Sequence, residues 1–344
     1  MKRVMFILLG LLLAGSQTAG GADRIRTHQG NESGDIVNMT KMQIDIKDAR
    51  TSIVKKIAVN EIVSIRFDDE PNGLPDARTQ VRSGNFDEAI EMLKGIKMDQ
   101  ISDDFVKQEV YFFLAYCIAQ KALGGSGDLN EAKEKYVKGF ASNYPNNYHF
   151  YEVSELYGDL SAAAGDYARA KNAYNAVKQA PWEDAKLRGD LGLARVHYSN
   201  GDFKQAAALF ESIRSTAGTG PQAERFRLIA TLGNAKSMAA DGNGKAGLKM
   251  VNDVIRAADQ GDTEIHALAY NAQGDCYRVM NNPKAAVLGY LHVDALYYQH
   301  PALHAEALFR IAQLWKTMQK PGRETAALKV LKGRYPGSPW AKKG

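Results

Sequence analysis

Four groups of residues in this chain have types and spacings that could do chemistry, and each falls short of the pattern its chemistry needs. Gly244-Lys245-Ala246 offers a glycine and a lysine of the sort that cradle phosphate, but no glycine stands five residues before Gly244 and no Ser or Thr follows the lysine. Gly124-Gly125-Ser126-Gly127-Asp128 sets a serine among glycines, as a nucleophile elbow does. Asp128 occupies the place of the final glycine, however, and the segment lies between helical patterns instead of after a strand. His300 and His304 have the helical i, i+4 spacing that aims two imidazoles at one metal ion, yet Pro301 lies between them and only Glu306 adjoins them. They are read as a surface pair that holds no metal. Cys117 and Cys276 are nearly half the chain apart, each in an apolar helical context, and are read as buried, unpaired thiols. With no His-Glu-x-x-His, no Cys-x-x-Cys and no calcium loop, the expectation is a protein without catalysis, cofactor or metal.

Composition sets the class. Of 344 residues, 45% are hydrophobic and 24% charged, ordinary for a soluble globular chain with enough apolar material for a core or an extended stack. Lys2-Arg3 followed by the apolar run Val4 to Ala14 and the small residues Gly20-Gly21-Ala22 read as an export signal over 1–22, cut before Asp23. The run is shorter than the roughly 20 residues a membrane span needs. Ser16 stands where a lipoprotein signal would place its cysteine, so the chain is not expected to be a lipoprotein. Without Lys2 and Arg3 the formal charge of +5 falls to about +3, too weak to imply nucleic acid or an anionic membrane as partner. The expected setting is periplasmic or otherwise exported, peripheral to a membrane at most.

A turn signature recurs along the chain. Gly84-Asn85-Phe86-Asp87-Glu88-Ala89, Gly127-Asp128-Leu129-Asn130-Glu131-Ala132, Gly165-Asp166-Tyr167-Ala168-Arg169-Ala170 and Gly201-Asp202-Phe203-Lys204-Gln205-Ala206 share a glycine, a small polar residue, an apolar residue and an alanine five after the glycine. The physical logic is a helix ended by a left-handed glycine, a polar residue opening the next helix, and an alanine where two helices approach closely. Weaker copies stand at Gly242-Asn243, Asn281-Asn282 and near Lys320-Pro321. Each marks one helical hairpin, and the whole predicts six to seven of them.

These repeats resemble the tetratricopeptide repeat family. The fourth hairpin carries Leu193-Ala194, Ala206 and Phe210, with His197 where the family prefers Tyr; the third carries Tyr157-Gly158, Ala170, Tyr174 and Pro181; the sixth Gly274, Tyr277, Ala286 and Tyr290. The resemblance covers 71–340 and implies a mainly α, right-handed α-solenoid. The spacing exceeds the family's usual value of about 34, which calls for longer helices or longer links such as Tyr144-Pro145 and Tyr335-Pro336-Gly337-Ser338-Pro339. Such elongated repeats are similar to those of bacterial envelope proteins.

In a solenoid of this kind the first helix of each hairpin lines the concave side. Non-packing positions on those helices are therefore the candidate partner-binding residues: Glu152, Glu155 and Asp159 in the third hairpin; Arg188, Arg195 and Tyr198 in the fourth; then Lys236, Asn271, Asp275 and Arg278. An acidic patch beside a basic one suits a partner of mixed charge. The aromatic stretch Tyr144, Tyr148, Phe150, Tyr151 and Tyr157 reads as packing between repeats or as part of a binding face.

Residues 34–70 differ. Short β-branched runs, with Gln43-Ile44-Asp45-Ile46-Lys47 alternating and Asp48-Ala49-Arg50 as a turn, predict a small sheet of three or four strands that packs on the first hairpin or on a partner. Gly34-Asp35-Ile36, Met39-Thr40 and Val59-Asn60-Glu61-Ile62 resemble SH3-like small barrels. Residues 23–33 are polar and read as a flexible segment, leaving 71–344 for the solenoid. The function expected from all this is an exported scaffold or adaptor that binds proteins or peptides of the cell envelope in a largely preformed groove. A self-assembling structural solenoid and a cell-wall glycan-binding accessory protein are the rival readings.

Overall fold

The computed structural model describes residues 22–344, so the export signal read at 1–22 lies outside the described residues but for Ala22. The chain opens with five antiparallel strands, β1 Asp23–Thr27, β2 Asn31–Met39, β3 Gln43–Lys47, β4 Val54–Ala58 and β5 Ile62–Arg66, the last preceded by a single 3-10 turn. Their order is β4-β3-β2-β1-β5, each strand antiparallel to its neighbours. Residues 23–33, expected to be flexible, are thus β1, a tight turn and the start of β2, and the sheet has five strands instead of three or four. The reason is visible in Asp23, whose carboxylate accepts hydrogen bonds from the backbone amides of Ile36 at 2.8 Å and Asp68 at 2.9 Å. Beside it Ile25, the lone apolar residue of β1, is fully buried.

Helices fill the rest: α1 Leu74–Arg82 and α2 Phe86–Lys94; α3 Asp104–Leu123 and α4, residues 129–143, with a π stretch at Ala132–Val137; α5 Phe150–Ala163 and α6 Tyr167–Lys178; α7 Glu183–Ser199 and α8 Phe203–Thr216; α9 Pro221–Ala240 and α10 Gly244–Ala257; α11 Thr263–Val279 and α12 Pro283–Leu296; α13 Pro301–Thr317 and α14 Pro321–Arg334. They make seven hairpins, closed by a short α15, Pro339–Lys343. Part of the extra length per repeat lies in helix, since α3 and α9 each run 20 residues.

The turns obey the expected logic with one change. Gly84, Gly165, Gly201 and Gly242 all have left-handed φ, between 75° and 97°. In the second hairpin that role falls to Gly125 at φ 83°, not to Gly127; Asn281 and Gln319 take it in the sixth and seventh. The signature alanines Ala89, Ala132, Ala170, Ala206 and Ala286 are fully buried where their two helices meet. An aromatic ring of an outer helix seats on a glycine of its own hairpin's inner helix, and for Tyr174 on one of the next hairpin as well. A Cβ on Gly158 would come within 2.7 Å of the Tyr174 ring and one on Gly274 within 2.6 Å of Tyr290, while Gly192 lies closer still to Tyr174. Gly192→Ala is therefore expected to lower unfolding stability by about 1–3 kcal/mol, read from denaturant midpoints, because the ring has nowhere to move.

The sheet is not a separate body. Ile25, Ile44, Ile57, Ile65 and Phe67 share one apolar core with Leu74, Ala77, Val106 and Val110 of the first two hairpins. The β2–β3 turn reaches further, to the link before α5, where the Lys41 ammonium lies over Phe150 at 4.7 Å and Tyr151 hydroxyl meets Met42 Sδ at 3.5 Å. The aromatic stretch is thus packing: Tyr148 and Tyr151 are buried there. A charged knot completes the junction. Arg78 pairs with Glu70 at 2.5 Å and Glu109 at 2.8 Å, and Glu109 also accepts from Tyr148 hydroxyl at 2.9 Å and meets His149 at 3.2 Å.

Candidate functional site

The first helices of the hairpins stand on the inside of the curve. Lys236 of α9 pairs with Glu306 of α13 at 3.0 Å although α11 lies between them, a reach that only strong curvature toward that side permits. The inner face therefore consists of α3, α5, α7, α9, α11 and α13.

Its C-terminal part is a convergence of charges from successive hairpins. Asp275 on α11 lies 3.3 Å from Lys236, 3.6 Å from Arg278 and 3.9 Å from Arg310, and accepts from the Tyr290 hydroxyl at 2.7 Å. The Lys236 ammonium also stands over the Tyr198 ring at 5.5 Å. Burial favours neutral Lys236, but the charges of Glu306 and Asp275 outweigh it and push its pKa above the ordinary lysine range. For Asp275, burial is likewise outweighed by Lys236 and Arg310, which hold the carboxyl low. Lys236 and Asp275 are thus an ionised pair at neutral pH.

The N-terminal part is more open. Arg188 on α7 donates to Glu155 on α5 at 2.9 Å, and Tyr174 hydroxyl donates to Asp159 at 2.6 Å. Burial raises the pKa of both acids despite these partners. Glu152 is exposed beside His149, and Arg195 is exposed with no hydrogen bond or ion pair among the described residues.

The ten residues expected on the groove thus divide. Glu152 and Arg195 are exposed on the inner face, and Glu155, Asp159, Arg188, Tyr198, Lys236 and Arg278 are half-buried there. Asn271 and Asp275 are buried, and Asn271 spends its amide on the backbone carbonyl of Leu303 at 3.0 Å, tying α11 to the start of α13. The expected acidic and basic patches are brought together and neutralise each other through Glu155–Arg188. Glu306, Arg310 and Tyr290 belong to the cluster and were not anticipated. Tyr290 follows Asp275 at the same 15-residue offset by which Tyr174 follows Asp159, a repeat that could have flagged it. Of nine buried side-chain polar atoms that lack a hydrogen-bond partner among the described residues, five lie on this face: Arg188 Nε, Asn271 Oδ1, Asp275 Oδ2, Arg278 Nε and Arg310 Nε.

The readings for chemistry resolve simply. His304, expected at the surface, is buried, with Nδ1 2.8 Å from Tyr335 hydroxyl and Nε2 2.7 Å from Asp294; His300 meets Thr263 hydroxyl at 2.9 Å. Both cysteines are buried free thiols whose pKa burial pushes up to about 12. A hollow of about 420 Å³ between β5 and α1, and another of about 340 Å³ along α10, lie away from the inner face. No helix among the described residues is long and apolar enough to cross a membrane, and no group of three metal-ligating side chains occurs among them.

Comparison with known proteins agrees with the architecture. The chain is similar in fold to a tetratricopeptide repeat protein from Parabacteroides merdae ATCC 43184, with 15% identity over 76% of this chain and 91% of that one, at a TM-score of 0.52. It is similar also to a Rap protein complexed with Competence and Sporulation Factor, with 14% identity over 79% of this chain and 77% of that one, at a TM-score of 0.50. No protein-family model and no curated protein matches the chain.

Proposed function

We propose that this chain, a solenoid with the tetratricopeptide-repeat fold, is an exported, non-catalytic scaffold that binds a protein or peptide segment of the cell envelope on its inner face. The observation that carries the reading is the convergence of charged and hydrogen-bonding side chains from successive inner helices on that face. The Rap protein solved in complex with Competence and Sporulation Factor has the same fold, which supports a protein or peptide ligand. A partner of mixed charge fits, because the accessible groups are Glu152, Arg195 and the half-buried Glu155, Arg188 and Arg278.

The clean probe of this face is Arg195. Reversing Arg188 or Arg278 would break pairs with Glu155 and Asp275 and so disturb the fold as well, whereas Arg195 is exposed and unpaired among the described residues. With the chain from Asp23 onward as bait in the host's envelope fraction, Arg195→Gln, which removes the charge without setting a new carboxylate beside the half-buried Glu155 and Asp159, is expected to reduce partner recovery about tenfold, the loss of roughly 1.4 kcal/mol, at unchanged helicity. Equal recovery by wild type and variant would remove Arg195 from the binding face. The self-assembly rival has the exposed apolar side chains of Val37, Ile53 and Val54 on the sheet in its favour. The aromatic stretch is spent on packing, and the outer strand β4 carries Lys55 and Lys56, charges that discourage edge-to-edge pairing.

A further inference from the structure

Gly124-Gly125-Ser126-Gly127, which resembles a catalytic loop without being one, has another partner. The backbone amide of Gly337 donates to the carbonyl of Gly125 at 2.8 Å, joining the turn of the second hairpin to the link after the seventh. The approach is close enough to require glycine on both sides. A Cβ on Gly125 would lie 2.8 Å from Ser338 Cβ and 3.1 Å from Tyr335 Cβ, and one on Gly337 would lie 2.5 Å from the Gly127 carbonyl oxygen. Gly124 faces Pro301 at the start of α13, 3.4 Å away on the same measure. The turn between paired helices lies on one rim of a solenoid and the links between hairpins on the other. A turn of the second hairpin touching links of the seventh means that the stack has completed one revolution and met itself rim to rim.

We propose that this seam is a clasp, which holds the solenoid closed and opens, without unfolding any hairpin, to admit a partner segment to the inner face; the proposal deepens the scaffold reading and rests on it for the partner alone. Both jaws keep their shape when apart. Tyr335 is held by its hydroxyl to buried His304 at 2.8 Å and Ser338 caps α15 through Ala341 N at 3.1 Å. Across the seam, Gly125 N and Ser126 N are satisfied within their own hairpin by the carbonyls of Ala122 and Lys121. What joins them is one backbone hydrogen bond and a patch of glycine contact, with no ion pair among the described residues, a small net gain of the kind that local opening breaks. Closure also explains the crowding inside, where Tyr198, Lys236, Asp275, Glu306 and Arg310 from four hairpins meet.

The test needs no partner and so stands or falls apart from the binding reading. Amide hydrogen exchange on the wild-type chain from Asp23 onward should show the Gly337 amide, the one that crosses the seam, exchanging at least tenfold faster than the buried middle of α13. Gly337→Val should raise the radius of gyration in solution scattering while leaving the helical circular dichroism unchanged. A Gly337 amide as slow as those of α13, an unchanged radius in a folded variant, or a variant that cannot fold at all would each overturn the clasp, since a clasp is separable from the hairpins it joins.

Discussion

Glu109→Ala is expected to cost about 3 kcal/mol of unfolding stability, because it takes from the buried Arg78 and His149 one of the two carboxylates each of them has, leaving only Glu70 and Glu152, in the junction of the sheet with the first three hairpins. Glu109 is 2% exposed and accepts from Arg78, Tyr148 and His149 together. Burial works against its charge, but the hydrogen bond and charge of His149, with Arg78 behind them, outweigh it and hold the carboxyl down at about 2. For His149, burial is outweighed by Glu109 and Glu152, which raise its pKa. The two titrations bracket a pH window. Glu109's contribution is complete above the ordinary glutamate value of 4.5 and is lost as pH falls toward about 2; His149's is complete below the ordinary 6.5 and is lost as pH rises through its raised folded value. Urea midpoints should therefore show the advantage of wild type over His149→Gln shrinking above pH 6.5. An advantage that grows there would reverse the assigned charge state.

Lys236→Ala is expected to have a similar cost, about 3–5 kcal/mol, and to have it in the absence of any partner. The ammonium is the one cation shared by Asp275 and Glu306, and it links α9, α11 and α13 across the inner face. Its removal takes from Glu306 its one ion pair among the described residues and leaves Asp275, 3% exposed at its side chain, with the longer contacts to Arg278 and Arg310. A melting temperature lowered by several degrees in the isolated chain identifies Lys236 as part of the frame of the inner face. A melting temperature equal to wild type would instead make it a free ligand-facing group.

Much of the solenoid is legible in the residues themselves, since a left-handed glycine followed five residues later by a buried alanine is a local signal, complete in the first, third and fourth hairpins and recognisable in altered form in the others. The exposure of Glu152 and Arg195 follows from the same helical register. Two kinds of feature are not local. The first is polar structure that is buried by something distant: β1 has a single apolar residue, and Asp23, Asp275 and Glu109 look like solvated acids until the groups that enclose them are known. The second is curvature, a small rotation per hairpin that accumulates over the stack. Nothing within the stretch Gly124 to Gly127 announces that it will meet Gly337, and so the seam, and the meeting of Lys236 with Glu306, emerge only in the assembled fold.

The central claim is that a partner occupies the inner face, and site-specific photo-crosslinking in the living host tests it most directly. A crosslinker placed at position 195 on α7 should trap a discrete partner, while one at position 249 on the outer helix α10 should trap none. The same partner captured from 249 and absent at 195 would put the binding surface on the outside of the solenoid and contradict the account.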